Sequence, residues 1–187
     1  MRNILKDESG FSMIEILTVV AILGIIMTAV VPQLGILQSG KRNLKVFTSL
    51  ITKVFDDSYL NGRINYMTIH LSDSKQDQTE LANKIFSRKN GISVLNIFNN
   101  QFVENKRDIF KFRNFPNSFI IEEVVLSSRE KISKGNVIIP FHADGSSDNV
   151  IIHVKVDNDQ RYSIKLNKYM KEPQVVPGYI TFTDFYN

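Results

Sequence analysis

A chain of 187 residues with 43% apolar side chains has room for one modest core and one further segment, which excludes a large multidomain protein. Its formal net charge of +4 is a mild basic excess, permitting contact with anionic lipid or nucleic acid without requiring either. It contains no cysteine, which excludes a disulfide framework and thiolate metal sites.

Residues 1–10 are short and polar. Residues 11–31 are almost entirely apolar, interrupted by Ser12, Glu15, Thr18, Gly24 and Thr28. At about 1.5 Å per residue this run spans roughly 30 Å as a helix, the thickness of a bilayer core. A transmembrane helix is therefore expected over 11–31. An ordinary secretory signal peptide is the competing reading, with Arg2 and Lys6 as its positive region. The run exceeds the ~7–15 apolar residues of such peptides, no Ala-x-Ala site follows it, and a carboxylate sits inside it.

That carboxylate is Glu15. At the bilayer centre it would cost about 2.5–3.5 kcal/mol, and less near the end of the segment. One reading is that Glu15 is tolerated because it lies close to the interface. The other gives it a cationic partner. Cleavage after Gly10 would place the new amine on Phe11, four residues from Glu15 and on the same helix face. An amine from the same chain or a neighbour would then supply attraction and register in a low-dielectric core.

The stretch Gly10-Phe11-Ser12-Met13-Ile14-Glu15-Ile16-Leu17-Thr18-Val19-Val20-Ala21-Ile22-Leu23-Gly24-Ile25-Ile26 resembles the class III signal of type IV prepilins and type II secretion pseudopilins. That resemblance implies a leader over 1–10, removed by a prepilin peptidase on the cytoplasmic side between Gly10 and Phe11. It also implies N-methylation of Phe11 and a role for Glu15 in assembly. Pro32 matches the proline common at the end of the family's apolar segment. Basic residues flank the run on both sides, with Arg2 and Lys6 before it and Lys41, Arg42 and Lys45 after it. The positive-inside rule alone therefore does not orient the chain; the resemblance implies a periplasmic C-terminal domain.

Pro32 lacks an amide hydrogen and should kink or loosen the helix, with Gly35 and Gly40 close behind. After Gly40 the residues Leu44, Phe47, Ile51, Val54 and Phe55 recur at spacings of three and four. Residues 32–62 are thus expected to be an amphipathic continuation of the helix, stopping at Asn61-Gly62. Residues 63–187 read as β structure. Met67, Ile69 and Leu71 alternate with polar residues, and 72–80 is a polar loop. Asn90-Gly91 and Asn99-Asn100 bracket a strand over 92–98. Phe110 and Phe112 alternate with Lys111 and Arg113. Strands follow over 119–126, 137–141, 150–156 and 162–166, with Asp157-Asn158-Asp159 as a hairpin turn and 179–182 as a closing strand. The expected fold class is α+β and pilin-like: a long N-terminal helix, transmembrane in its first half, packed on a C-terminal antiparallel sheet domain.

Two further segments, Phe55-Asp56-Asp57-Ser58-Tyr59-Leu60-Asn61-Gly62-Arg63-Ile64 and Ile138-Ile139-Pro140-Phe141-His142-Ala143-Asp144-Gly145-Ser146-Ser147, are similar to the helix end and the Pro-Asp-Gly-Ser turn of H-type minor pseudopilins and FimT-like minor pilins. Ala143 stands in place of the turn's proline, and 167–187 matches poorly. The resemblance implies a minor pseudopilin of a type II secretion system, a structural subunit of the inner-membrane-anchored pseudopilus and not an enzyme. Its implied partners are other pseudopilins or pilins, prepilin peptidase, membrane lipid and the inner-membrane assembly platform. The alternatives are a minor pilin of a type IV pilus and, in another class, a single-span membrane-anchored binding protein.

No catalytic, cofactor or metal site is expected. His70, His142 and His153 are isolated, without the paired spacing of a zinc site. Asp144-Gly145-Ser146-Ser147-Asp148 and Asp157-Asn158-Asp159 lack EF-hand spacing and read as turns. Lys106, Arg107, Lys111 and Arg113 interleaved with Phe110, Phe112 and Phe115 are the best nucleic-acid candidate. Strand alternation, with phenylalanines inward and cations outward, accounts for them more simply, so nucleic acid is not an expected partner.

Overall fold

The computed structural model describes residues 12–37, 39–73, 83–157 and 159–184. The chain divides into two compact units, Met1–Gln38 and Ser39–Asn187. In the first, helix α1 spans Met13–Leu37. Pro32 lies within α1 and does not end it: the helical run extends five residues further, to Leu37. The expected continuation over 32–62 thus divides between the end of α1 and a second helix, with Gln38 outside the described residues.

The second unit opens with α2, Ser39–Asn61, which buries Gly40, Leu44, Phe47, Leu50, Ile51, Val54, Asp57 and Ser58. Leu50 completes the stripe expected from spacing, and Asp57 and Ser58 extend it with polar groups. Gly62, at φ +59°, ends the helix. Arg63 N–H donates to Ser58 O at 3.1 Å and Gly62 N–H to Tyr59 O at 3.4 Å. These are the paired bonds of a Schellman cap, which needs a left-handed residue where glycine stands.

The β-strands are β1 (Asn65–His70), β2 (Gly91–Phe98), β3 (Gln101–Glu104), β4 (Arg113–Asn114), β5 (Phe119–Leu126), β6 (Lys131–Ile132), β7 (Asn136–Phe141), β8 (Val150–Val156), β9 (Gln160–Leu166) and β10 (Gln174–Pro177), with a four-residue helix α3, Asn83–Phe86, between β1 and β2. They form two five-stranded sheets. One runs β3-β2-β1-β7 with β4 also on β2; the other runs β10-β9-β8-β5-β6. Every strand pairing is antiparallel.

One core joins α2 to both sheets. Phe47 meets Phe115 and Phe119 at ring distances of 5.7 and 5.6 Å. Around them lie Met67, Ile69 and Val94 from the first sheet and Ile121, Ile152, Val154 and Ile164 from the second. Burying a phenylalanine such as Phe47 contributes about 2–3 kcal/mol, so α2 is held mainly by packing.

Two expected strands are corrected. Residues 110–113 are not an alternating strand. Asp108–Phe110 forms a 3-10 turn, and only Arg113 and Asn114 join a sheet. Local side chains take the amides a ladder would use: Asn105 Oδ1 accepts Arg107 N–H at 3.0 Å and Glu104 Oε1 accepts Phe112 N–H at 2.9 Å. The closing strand is Gln174–Pro177 rather than 179–182. Gly178, at φ +80°, turns the chain off the sheet edge. Ser163 Oγ then donates to Gly178 O at 2.7 Å and accepts Ile180 N–H at 3.0 Å, replacing a ladder. Strands β3 and β6 and the division into two sheets were not expected from sequence.

Candidate assembly site

Helix α1 begins with a reciprocal cap. Glu15 N–H donates to Ser12 Oγ at 3.3 Å, and Ser12 N–H points at Glu15 Oε2 at 3.4 Å. This Ser-x-x-Glu capping box satisfies two amides that a helix N-terminus leaves without partners. Glu15 therefore has a second role beside any pairing with an amine: it sets where the helix starts. The signal, Ser12 and Glu15 three residues apart, is present in the sequence. Gly10 and Phe11 lie outside the described residues. Pro32 is in α1, and its side chain is outside the described set.

From Met13 to Met27 the side chains of α1 are exposed, including Met13 (80%), Ile14 (73%) and Ile25 (70%). Among the described residues no helix is long and apolar enough to cross a membrane. An exposed run of this apolarity still requires a non-aqueous or protein environment.

The start of the second unit is clamped. Gly40 N–H donates to Asp157 Oδ1 at 3.0 Å, Ser39 Oγ bonds Ser118 Oγ at 2.7 Å, and Asp157 N–H donates to Ser118 O at 2.8 Å. A carboxylate at a helix N-terminus is favoured by the exposed amides and the dipole there. The approach is close: a Cβ on Gly40 would lie 2.4 Å from Ser118 O. Gly40, read as a weak point of a long helix, is instead the residue that lets α2 dock.

The other end of α2 carries a polar hub. Asp57, 5% exposed, accepts from Arg63 Nη2 at 2.6 Å and Nε at 3.1 Å, from Asn61 Nδ2 at 2.8 Å and from Asn65 Nδ2 at 2.8 Å. Arg107 adds a further ion pair from the loop after β3. Burial pushes the Asp57 carboxyl up, but the hydrogen bonds from Arg63 and Asn65 and the charges of Arg63 and Arg107 hold it below the ordinary carboxylate range. The hub ties α2 to β1 and to the 105–112 loop. Beside it, the two similar segments meet. A Cβ on Gly145 (φ +77°) would lie 3.3 Å from both Phe55 and Tyr59. Asp144 Oδ1 shapes that turn by accepting Ser146 N–H at 3.0 Å and Oγ–H at 2.6 Å.

These aspartates are thus engaged as turn and cap groups. No group of three or more His, Asp or Glu side chains that could hold a metal ion is found among the described residues. The basic-aromatic stretch is also structurally engaged. Arg107 pairs with Asp57 and Lys111 with Asp108, while Phe110 and Phe115 are both 3% exposed and out of reach for base stacking.

His70 is fully buried on β1. Its Nδ1 lies 2.6 Å from Asn136 Oδ1 and its Nε2 lies 2.8 Å from Ser93 Oγ. Asn136 Oδ1 can only accept, so Nδ1 carries the proton and Nε2 accepts from the serine. Burial lowers the His70 pKa from 6.5 to about 4, against an opposing bond from Asn136. Between those values the unfolded chain takes up a proton that the folded one refuses, so stability falls as pH drops from 6.5 towards 4. The full loss is about 3 kcal/mol. Urea midpoints measured at about pH 7 and pH 4.5 should fall in the native chain and fall less in His70→Gln.

Residues 5–31 match the family described as prokaryotic N-terminal methylation motif. That segment contains Gly10, Phe11 and Glu15. No curated protein matches the chain. Among solved structures the fold is similar to two of the minor pseudopilin EpsH from the type 2 secretion system of Vibrio cholerae. One has a TM-score of 0.52 at 7% identity, covering 77% of this chain and 98% of that one. The other has a TM-score of 0.50 at 8% identity, covering 75% and 96%. The chain carries that methylation motif and shares the fold of these minor pseudopilins. The motif and the sheets lie in different parts of the chain: the motif in the first unit, and the sheets with α2 in the second.

Proposed function

We propose that this pilin-like protein is a minor pseudopilin of a type II secretion system, anchored in the inner membrane by a single span at 11–31 with its second unit in the periplasm. The methylation motif over 5–31 carries the reading, because it joins a cleavable leader to an apolar assembly helix. Prepilin peptidase cuts between Gly10 and Phe11 and methylates the new amine of Phe11. Glu15 then pairs with such an amine as α1 packs against neighbouring subunits. Likeness to a secretion pseudopilin, over nearly all of that protein's length, favours the secretion machine over a type IV pilus. The chain contributes structure, and the work of export comes from elsewhere in the machine. Lipid, sister subunits and the inner-membrane assembly platform are its partners.

The deciding experiment deletes the gene and measures export through the type II system beside surface pilus number. Loss of export with pili intact supports the secretion reading. Loss of pili with export intact replaces it with the minor-pilin alternative. No effect on either leaves a membrane-anchored binding protein.

A further inference from the structure

We propose that His153 is held doubly protonated and acts as a proton-dependent latch for the C-terminal strap, residues 178–184. The strap crosses the face of the second sheet that points away from α2, where Phe182 packs on Val125 and Ile151. His153, 3% exposed, sits beneath it on β8. Its Nδ1 lies 2.9 Å from Glu123 Oε1, and its Nε2 lies 3.0 Å from the carbonyl oxygen of Ile180. A carbonyl oxygen and an ionised carboxylate can only accept. A neutral imidazole has one N–H and would leave two acceptors facing at the other nitrogen. The doubly protonated ring satisfies both, donating once to the sheet and once to the strap.

The contrast with His70 supports this assignment. That ring has one acceptor and one hydroxyl for partners, an arrangement suited to the neutral form. Around His153 the charges are mixed. Glu123 on β5 makes direct contact, with Lys131 of β6 lying 3.8 Å from the same oxygen. Tyr179 of the strap stacks on the ring at 4.3 Å and 7°, and its hydroxyl donates to Glu122. Arg161 of β9 lies over the ring of Tyr179 at 5.3 Å. On the same face, Lys155 pairs with Asp159, and Lys165 lies opposite Ile151 in the ladder. At the strap's far end, Asp184 is bound to Thr181. The carboxylate is the charged group in hydrogen-bond contact with the ring, and the cations stand further off. Losing the proton removes the bond to either Glu123 or Ile180, so rising pH loosens the strap and acid tightens it.

The test uses the full chain in detergent micelles, labelled for NMR. Two signals are followed between about pH 6 and pH 8.5: the His153 ring nitrogens, and contacts from the Phe182 ring to the Val125 and Ile151 methyls. Both ring nitrogens should be protonated while the strap is docked. Deprotonation should coincide with a fall of about tenfold or more in the docked-to-undocked ratio, as expected for losing one charge-assisted hydrogen bond. In Glu123→Gln the amide can donate to Nδ1 of a neutral ring, so docking should lose its pH dependence; His153→Gln should lose it as well. A neutral ring beneath a docked strap overturns the proposal, and so does unchanged pH dependence in Glu123→Gln. Should that variant fail to fold, the ring nitrogens of the native chain decide the matter alone.

Discussion

Gly10→Ala is expected to leave the chain at its full length in cells that carry a matching prepilin peptidase, while the native chain is recovered starting at N-methyl-Phe11. The physical ground is that glycine admits close backbone approach at the bond to be cut, and a methyl group does not. The effect is all-or-none in intact mass. It reaches assembly too, because without cleavage no amine stands four residues from Glu15. The retained leader places Arg2, Lys6, Asp7 and Glu8 ahead of the helix instead. Glu15→Ala should separate the two steps: processed normally, but absent from assembled filaments. A native chain left uncut in those cells would sink the pseudopilin reading. The Ser12–Glu15 cap supplies a control. Glu15→Gln can keep the capping bond while losing the charge, so assembly lost in Glu15→Gln as well points to ion pairing rather than helix starting.

Asp57→Ala is expected to cost the folded domain about 2–4 kcal/mol. Removing one partner of a buried ion pair leaves the others without compensation, and here Asp57 serves Arg63, Arg107, Asn61 and Asn65 at once. The arginine side chains are 38% and 53% exposed, so water recovers part of the loss. Asn65, fully buried, recovers little. The Asp57 carboxyl is held below its ordinary value of 3.8. Its contribution is therefore present above that value and lost as pH falls below it. Urea unfolding at neutral pH, followed by circular dichroism, should show a lowered midpoint in Asp57→Ala and a smaller shift in Asp57→Asn. A change within about 0.5 kcal/mol, the range of an ordinary surface substitution, would show that the hub does not hold α2 to the sheet.

Features written locally along the chain were legible without coordinates. The stripe of Leu44, Phe47, Ile51 and Val54 sits on the buried face of α2, and the Asn61-Gly62 stop is a Schellman cap. Asn99 and Asn100 both take positive φ, 48° and 59°, as a tight hairpin between β2 and β3 requires. Residues 110–113 and 179–182 misled because alternation of apolar and polar residues says nothing about who takes the backbone amides. Glu104, Asn105 and Ser163 take them, and none announces this in sequence.

By itself the sequence determined the methylation motif over 5–31, the apolar helix with its one carboxylate, the α+β class and most strand positions. Each follows from residues within a turn or two of one another, where spacing sets which side chains share a face. Only the tertiary structure decided the split into two sheets, the Gly40–Asp157 clamp, the Asp57–Arg107 pair and the strap over His153. Their partners lie 117, 50 and 27 residues apart. Such pairs form because burial in a shared core leaves each polar group no partner but the one brought to it.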